Sequence, residues 1–230
     1  MATPVDIANQ ALAHLGDRRI DRIDDDAANT DALSRYCAEF YDQARQEVLA
    51  AHRWSFAKST AELALRADVT VIGYTYAHQK PSGFIRLLRL IPGTQVLDVN
   101  GDVESVTYPD SSIDKFKIVG MQIWSQYADV AMEYIQDVND PDEWTPHFRA
   151  AVARLLASYL AGPTSDNPDE SNKQKRIYET VDLPNAQYYD AVQDNSGENS
   201  DHETRIAGSN SLQSRYSTRY GSTDPSDYSY

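Results

Sequence analysis

Five histidines, one cysteine and a run of three carboxylates are the residues of this 230-residue chain with the plainest capacity for chemistry. The histidines, His14, His52, His78, His147 and His202, are scattered. None pairs with another at the i, i+4 spacing, with a glutamate between them, that lets one helix face present two imidazoles to zinc. The run Asp24, Asp25 and Asp26 lacks the alternating oxygen donors, central glycine and terminal glutamate of an EF-hand calcium loop, and reads as a solvated loop ahead of a helix. Cys37 follows Tyr36 and lies one turn from Leu33 and Phe40, a setting that buries a thiol instead of activating it. With 35 acidic residues, pairs such as Asp140 with Asp142 and Glu143 arise from composition alone and carry no signal for acid–base catalysis. There is no glycine-rich phosphate loop and no Gly-x-Ser-x-Gly elbow. Trp54, Phe56, Trp124 and Trp144 are expected to form core where helices meet strands, not a ligand platform. The sequence therefore predicts no catalytic residue, no cofactor and no metal site.

A net charge of -14 repels polyphosphate and argues against a basic surface that grips DNA. An acidic protein can still surround DNA without holding it, because repulsion keeps a passing duplex from sticking. A single cysteine rules out an intrachain disulfide and a cysteine zinc site and fits a reducing compartment. Met1 to Gly16 has neither the basic n-region nor the apolar core of a signal peptide. No run approaches the roughly 18 apolar residues of a membrane span, so a soluble protein without signal-driven export is expected.

The elements around these residues divide the chain into four parts. In 1–53, Thr3, Pro4 and Asp6 start a short helix whose apolar side is Ile7, Ala11, Leu12 and Leu15 and which Gly16 ends. Asn29 or Thr30 then caps a longer helix with Leu33, Tyr36, Phe40, Ala44, Val48 and Ala51 on one stripe. In 54–140, turn signals separate strands expected at Phe84–Ile91, Gln95–Val99, Val103–Tyr108, Lys115–Val119 and Val130–Gln136, with a hairpin turn at Asn100-Gly101. In 141–193, Thr145-Pro146 opens a helix carrying Phe148, Val152, Leu155, Leu156 and Tyr159, and Gly162-Pro163 is expected to stop it. A further helix starts at Asn167-Pro168 and should be kinked or broken at Pro184. The remainder, 194–230, is rich in Ser, Asn, Asp, Gly and Tyr and cannot offset its ordering entropy alone. Its Arg205, Ile206, Leu212, Arg215, Tyr216, Arg219 and Tyr220 are the residue types favoured where an extended segment docks onto another protein. The expected fold is α+β and predominantly α, an antiparallel helical bundle with a small β-rich insert and an extended C-terminal tail.

Several segments carry a further signal in their order and spacing. These are Asp6–Leu12 with Leu15-Gly16, the helix end His52–Ala57, the turn and strand Lys80–Leu88, Tyr134-Ile135, the helix start Trp144–Phe148, Leu155–Ala161, and a last helix with Tyr178. Together, over residues 3–193, they resemble the head-to-tail adaptor proteins of podoviruses, the tail tubular protein A family of connectors. Pro184 and the long polar tail depart from that pattern. The resemblance implies a helical bundle with a β-rich insert, a dozen copies of which form a ring beneath a dodecameric portal. A tail nozzle of the tail tubular protein B kind attaches below, and the C-terminal region reaches up to the portal and becomes ordered there. It also implies a virion protein at the portal–tail junction, assembled in the host bacterial cytoplasm, whose lumen passes double-stranded DNA without sequence-specific binding, and no membrane partner. Free subunits are expected to be monomeric, with the portal as template for the ring. A virion-associated cell-wall hydrolase and an acidic assembly chaperone are the alternatives from other classes.

Overall fold

The computed structural model describes residues 1–24, 31–66, 73–97, 103–109, 111–164 and 168–193. Helix α1 (Pro4–Leu15) starts at the expected cap. The Thr3 hydroxyl accepts from the Asp6 amide at 3.2 Å while the Asp6 carboxylate accepts from the Thr3 amide at 2.9 Å, satisfying two otherwise orphaned donors reciprocally. Gly16, at φ 77°, ends it in a conformation that a Cβ disfavours.

Helix α2 (Ala32–Ala51) is capped by Asp31, not by Asn29 or Thr30, which lie outside the described residues; the Asp31 carboxylate accepts from the Leu33 amide at 3.1 Å. Its buried face is Ser34, Cys37, Tyr41, Ala44, Arg45, Val48 and Leu49. The expected stripe was therefore rotated: Leu33, Tyr36 and Phe40 are half-buried and Ala51 is exposed.

Helix α3 (Pro146–Thr164) is the hub, against which α1, α2 and α4 (Pro168–Ile177) pack. Its Phe148, Ala151, Val152, Leu155, Leu156 and Leu160 are fully buried. It runs through Gly162-Pro163 instead of stopping there, with Pro163 in the final turn. There a missing N–H costs one bond, and the Thr164 hydroxyl donates to the adjacent Leu160 carbonyl at 2.8 Å.

Pro184 does not break the last helix either. A π turn, Tyr178–Asp182, joins α4 directly to α5 (Leu183–Gln193), and the Leu183 amide donates to the Tyr178 carbonyl five residues back. A proline clashes with the carbonyl four residues before it and cannot bond it. The widened turn, a known form of helix bulge, places its extra residue just ahead of Pro184.

The strands form three antiparallel sheets. Sheet one has the order β1 (Lys58–Glu62), β8 (Val130–Gln136), β3 (Phe84–Pro92). Sheet two is β2 (Tyr76–Gln79), β7 (Gln122–Ser125), β6 (Lys117–Val119), and a ribbon joins β4 (Thr94–Leu97) to β5 (Val103–Thr107). The segment after β1 links the first two sheets: the Leu63 amide donates to the Val130 carbonyl, and the Arg66 and Gln79 amides donate to Ala77 and Ala64. Central strand β8 is buried on both faces because side chains alternate along it. Ile135 joins the main core with the helices, while Val130, Met132 and Tyr134 join a second core with Leu63, Leu90, Ile113 and Ile123.

The expectation of a predominantly α bundle with a small β insert is thus overturned. Among the described residues, eight strands in three sheets stand beside four helical rods, counting α4, the π turn and α5 as one, at about 49% helix and 24% strand. Three strands escaped the sequence. β1 is polar but for Ala61 and its partner is β8, with Lys58 opposite Ile135; β2 and β7 are four residues each and pair with one another across more than 40 residues. The chain divides into two units, Met1–Asp190 and Ala191–Tyr230.

Candidate functional site

The segments that carry the family resemblance occupy joints of the fold. The buried Asn9 side chain donates to the Ile20 carbonyl at 2.9 Å and accepts from the Ile20 amide at 2.8 Å, clamping the chain beyond α1. Trp54 and Trp144 each pack edge-on against Phe148, with centroids at 4.9 and 5.1 Å. Their indole N–H groups donate to Val48 and Val138, each six residues back. Phe56 completes this group at 5.0 Å from Phe148. Trp124 does not belong to it; it stands on β7 beside Tyr74, with the Lys117 ammonium over its ring. The Gly83 carbonyl of the Lys80–Leu88 segment accepts from the Asp137 amide at 2.7 Å, and Arg86 donates to the Ala50 carbonyl near the end of α2.

Two groupings superficially suggest nucleophilic chemistry. Asp190, 1% exposed, accepts from the Ser55 amide at 3.1 Å and the Ser55 hydroxyl at 2.7 Å, with His52 Nε2 at 3.6 Å. A hydrolytic triad requires the imidazole between hydroxyl and carboxylate. Here the carboxylate is in the middle, so the arrangement anchors α5 to the corner after α2 and leaves the hydroxyl proton committed to Asp190. In the second grouping, His78 Nε2 lies 3.0 Å from the Tyr127 carbonyl and 3.2 Å from Ser125 Oγ, with both side chains fully buried. A carbonyl only accepts, so Nε2 carries the proton, and the ring props the turn between β7 and β8. Burial holds the His78 pKa below the usual imidazole value, partly opposed by backbone hydrogen bonds and by Asp129.

The remaining sequence candidates are placed as follows. Cys37 is fully buried, and burial pushes its thiol up to about 12, as expected of a structural cysteine. His14 is half-buried, with its pKa lowered by desolvation. His147 stacks on Tyr189 at 3.8 Å. Asp140 and Glu143 line a cleft of about 350 Å³ with Phe56, Lys58 and Asp137. Asp137 is itself engaged by the buried Arg45 at 3.1 Å and by Gln46. Among the described residues no group of three or more His, Cys, Asp or Glu side chains is placed to hold a metal ion, and no helix is long and apolar enough to cross a membrane. Asp25, Asp26, His202 and all seven expected docking residues, Arg205, Ile206, Leu212, Arg215, Tyr216, Arg219 and Tyr220, lie outside the described residues.

Two exposed apolar surfaces were not anticipated. On the last helical rod, Val181 (47%), Tyr188 (56%), Tyr189 (45%) and Val192 (64%) face solvent. At the turn between β6 and β7, Ile118, Val119 and Met121 do the same around Gly120, whose φ of 56° suits a glycine. The first was legible from the seven- and four-residue spacing of Val181, Tyr188 and Val192. The second was hidden because β7 itself was missed. Surfaces of this kind mark contacts with other macromolecules more often than catalysis.

Compared with known proteins, the sequence matches no family model and no curated protein at a significant level.

Proposed function

We propose that this chain is the head-to-tail adaptor of a short-tailed bacteriophage, a structural subunit whose ring joins the portal to the tail nozzle. The observation that carries this reading is the ordered series of segments between residues 3 and 193 that resembles the adaptor family. That series spans both cores, from the Asn9 clamp to the Trp54–Phe148–Trp144 stack and the Gly83–Asp137 bond. Further support comes from exposed apolar surfaces at two different elements, which a subunit with neighbours would cover.

In this reading twelve copies assemble on the portal as a symmetric template, and the tail residues from Arg205 to Tyr220 dock onto it. The acidic lumen passes double-stranded DNA without retaining it, and the location is the portal–tail junction of the virion. The test is to mix the purified chain with the portal of the same phage and image the product. An added twelve-fold ring is expected; portals that stay bare at high subunit concentration overturn the proposal. Deleting residues 195–230 should abolish co-sedimentation with the portal, and unchanged binding would remove the tail from the docking role.

A further inference from the structure

The turn at residues 126–129 carries the chain from β7 of sheet two to β8 of sheet one, and the bonds that fix it come from several elements at once. The Asp129 carbonyl accepts from the Gly93 amide at 2.8 Å, and its carboxylate accepts from the Gln95 side chain at 2.6 Å. The Gln126 side chain accepts from the Thr75 hydroxyl at 2.7 Å and donates to the Gly73 carbonyl at 2.9 Å. From the interior, the Ser125 hydroxyl donates to the Tyr127 carbonyl at 3.0 Å and accepts from the Tyr127 amide at 3.2 Å. His78 Nε2–H donates to the same carbonyl at 3.0 Å. His78 and Ser125 are fully buried, whereas Tyr127 is exposed. The joint between the two sheets is thus pinned from inside by two polar side chains, one of which can take up a proton.

The setting serves the neutral ring and not the charged one. Nε2–H has its acceptor, while Nδ1 is buried and has no hydrogen-bond partner among the described residues. Protonation places a second N–H at Nδ1, and a buried charged donor without an acceptor costs more than the lone pair it replaces. Asp129 on the turn, with the backbone of Tyr127 and of Leu63, favours the charged ring, and burial outweighs them. The Asp129 carboxylate is itself engaged by Gln95. Arg66, on the segment that bridges β2 through Leu65 and His78, holds the Gln79 side chain at 2.9 Å. Glu62 at the end of β1 is exposed, and β7 brings no ionisable side chain to the ring.

We propose that this joint is an acid-released latch: when His78 takes up a proton, the 126–129 turn lets go of sheet two, and the β7–β8 region opens locally ahead of the helical core. The imidazolium reaches water once the Tyr127 carbonyl swings outward, and Tyr127 already lies at the surface. Opening uncovers the second core at Ile123 and Val130, whereas Ile135, farther along β8, stays with the helices. The direction follows from linkage. In the open form the ring titrates in water at about 6.5, the closed form resists the proton, and acid therefore favours the open form. By pH 5 the open form gains about 30-fold in weight, and at pH 7 hardly any. Regions with their own small set of contacts open in this way below the free energy of global unfolding.

Hydrogen exchange of the full chain, read by mass spectrometry at pH 7 and pH 5 and normalised to intrinsic rates, tests the latch. Protection of peptides covering 122–130 should fall on the order of 20-fold between the two pH values, and protection of α3 by much less. His78→Gln keeps an N–H for the Tyr127 carbonyl and does not titrate, so its 122–130 segment should be equally protected at both. Unchanged protection of 122–130 at pH 5, an equal loss in α3, or a loss that persists in His78→Gln overturns the proposal. Should His78→Gln fail to fold, an NMR titration of the unsubstituted chain decides. The His78 ring and the Tyr127 amide should shift together with a single midpoint, and a Tyr127 amide that stays in place while the ring titrates overturns the latch.

Discussion

Asp190 is the residue whose loss should be felt most for its size, because one buried carboxylate holds α5 against the corner that follows α2. Its oxygens accept from the Ser55 amide at 3.1 Å and the Ser55 hydroxyl at 2.7 Å, and the side chain is 1% exposed. Asp190→Ala leaves both donors without an acceptor. A buried donor left unpaired costs about 1–3 kcal/mol, and Ser55 is half-buried, so water recovers part of the loss. The expected destabilisation is about 2–4 kcal/mol, which for a protein of this size lowers Tm by about 4–16 °C. Urea unfolding is the assay, with a lower midpoint at unchanged slope. Ser55→Ala removes only the hydroxyl and should cost about 1 kcal/mol. In the Asp190→Ala background it should cost almost nothing, because the two residues share one interaction. A loss below about 0.5 kcal/mol for Asp190→Ala, the level of an ordinary surface change, would refute the reasoning. So would a loss that 1 M salt reproduces in the unsubstituted chain, since that would trace the effect to long-range attraction and not to hydrogen bonds.

Other sites give equally definite expectations. Gly93→Ala should destabilise by about 1–3 kcal/mol through overpacking, because a Cβ there would stand 2.7 Å from Asp129 Cβ and 2.8 Å from Val106 Cγ1; urea midpoints measure it. His78 titrates below its unfolded value, so the unfolded chain binds the proton more readily. The stability this contributes is present above about pH 6.5 and is lost as pH falls from there toward the folded pKa. The limiting slope is about 1.4 kcal/mol per pH unit for each such group. His14 shifts in the same direction, so His78→Gln should flatten the urea midpoint between pH 7 and pH 5 only in part. Trp54→Phe keeps an aromatic ring against Phe148 but deletes the indole donor to the Val48 carbonyl; the orphaned acceptor should cost about 1–3 kcal/mol, read by the same titration.

What the sequence disclosed was what neighbours in sequence decide. Thr3, Pro4, Asp6 and Gly16 delimit α1 because capping chemistry acts within four residues. Asn29, Thr30 and Asp31 are all capping types, so the start of α2 was ambiguous by one or two positions until the Asp31–Leu33 bond resolved it. Neither the stop expected at Pro163 nor a break at Pro184 occurs, for the same reason: the local cost of each proline is real, but a last-turn position and a widened turn absorb it. β1 was lost because its stabilising partner is 69 to 77 residues away, and no local pattern announces a mostly polar strand whose neighbour supplies the apolar surface. Trp124 was misassigned because a tryptophan's size suggests core, whereas here it stays half-buried on β7 beside Tyr74, outside both cores. The docking residues proposed for the tail remain a reading of residue types, whereas the α5 stripe could have been found by asking which helical face carries no charge.

Strand β8 serves as a party wall: Ile135 belongs to the helical side, and Met132 and Tyr134, the latter next to it in sequence, belong to the β side. Neither half can be expressed alone without stripping the other of its lining. A trimmed fragment lacking residues 130–136 should be insoluble whichever half it retains, and loosening one compartment should be transmitted through a single ribbon of seven residues to the other. A load applied at the sheets is thereby borne by the helices as well.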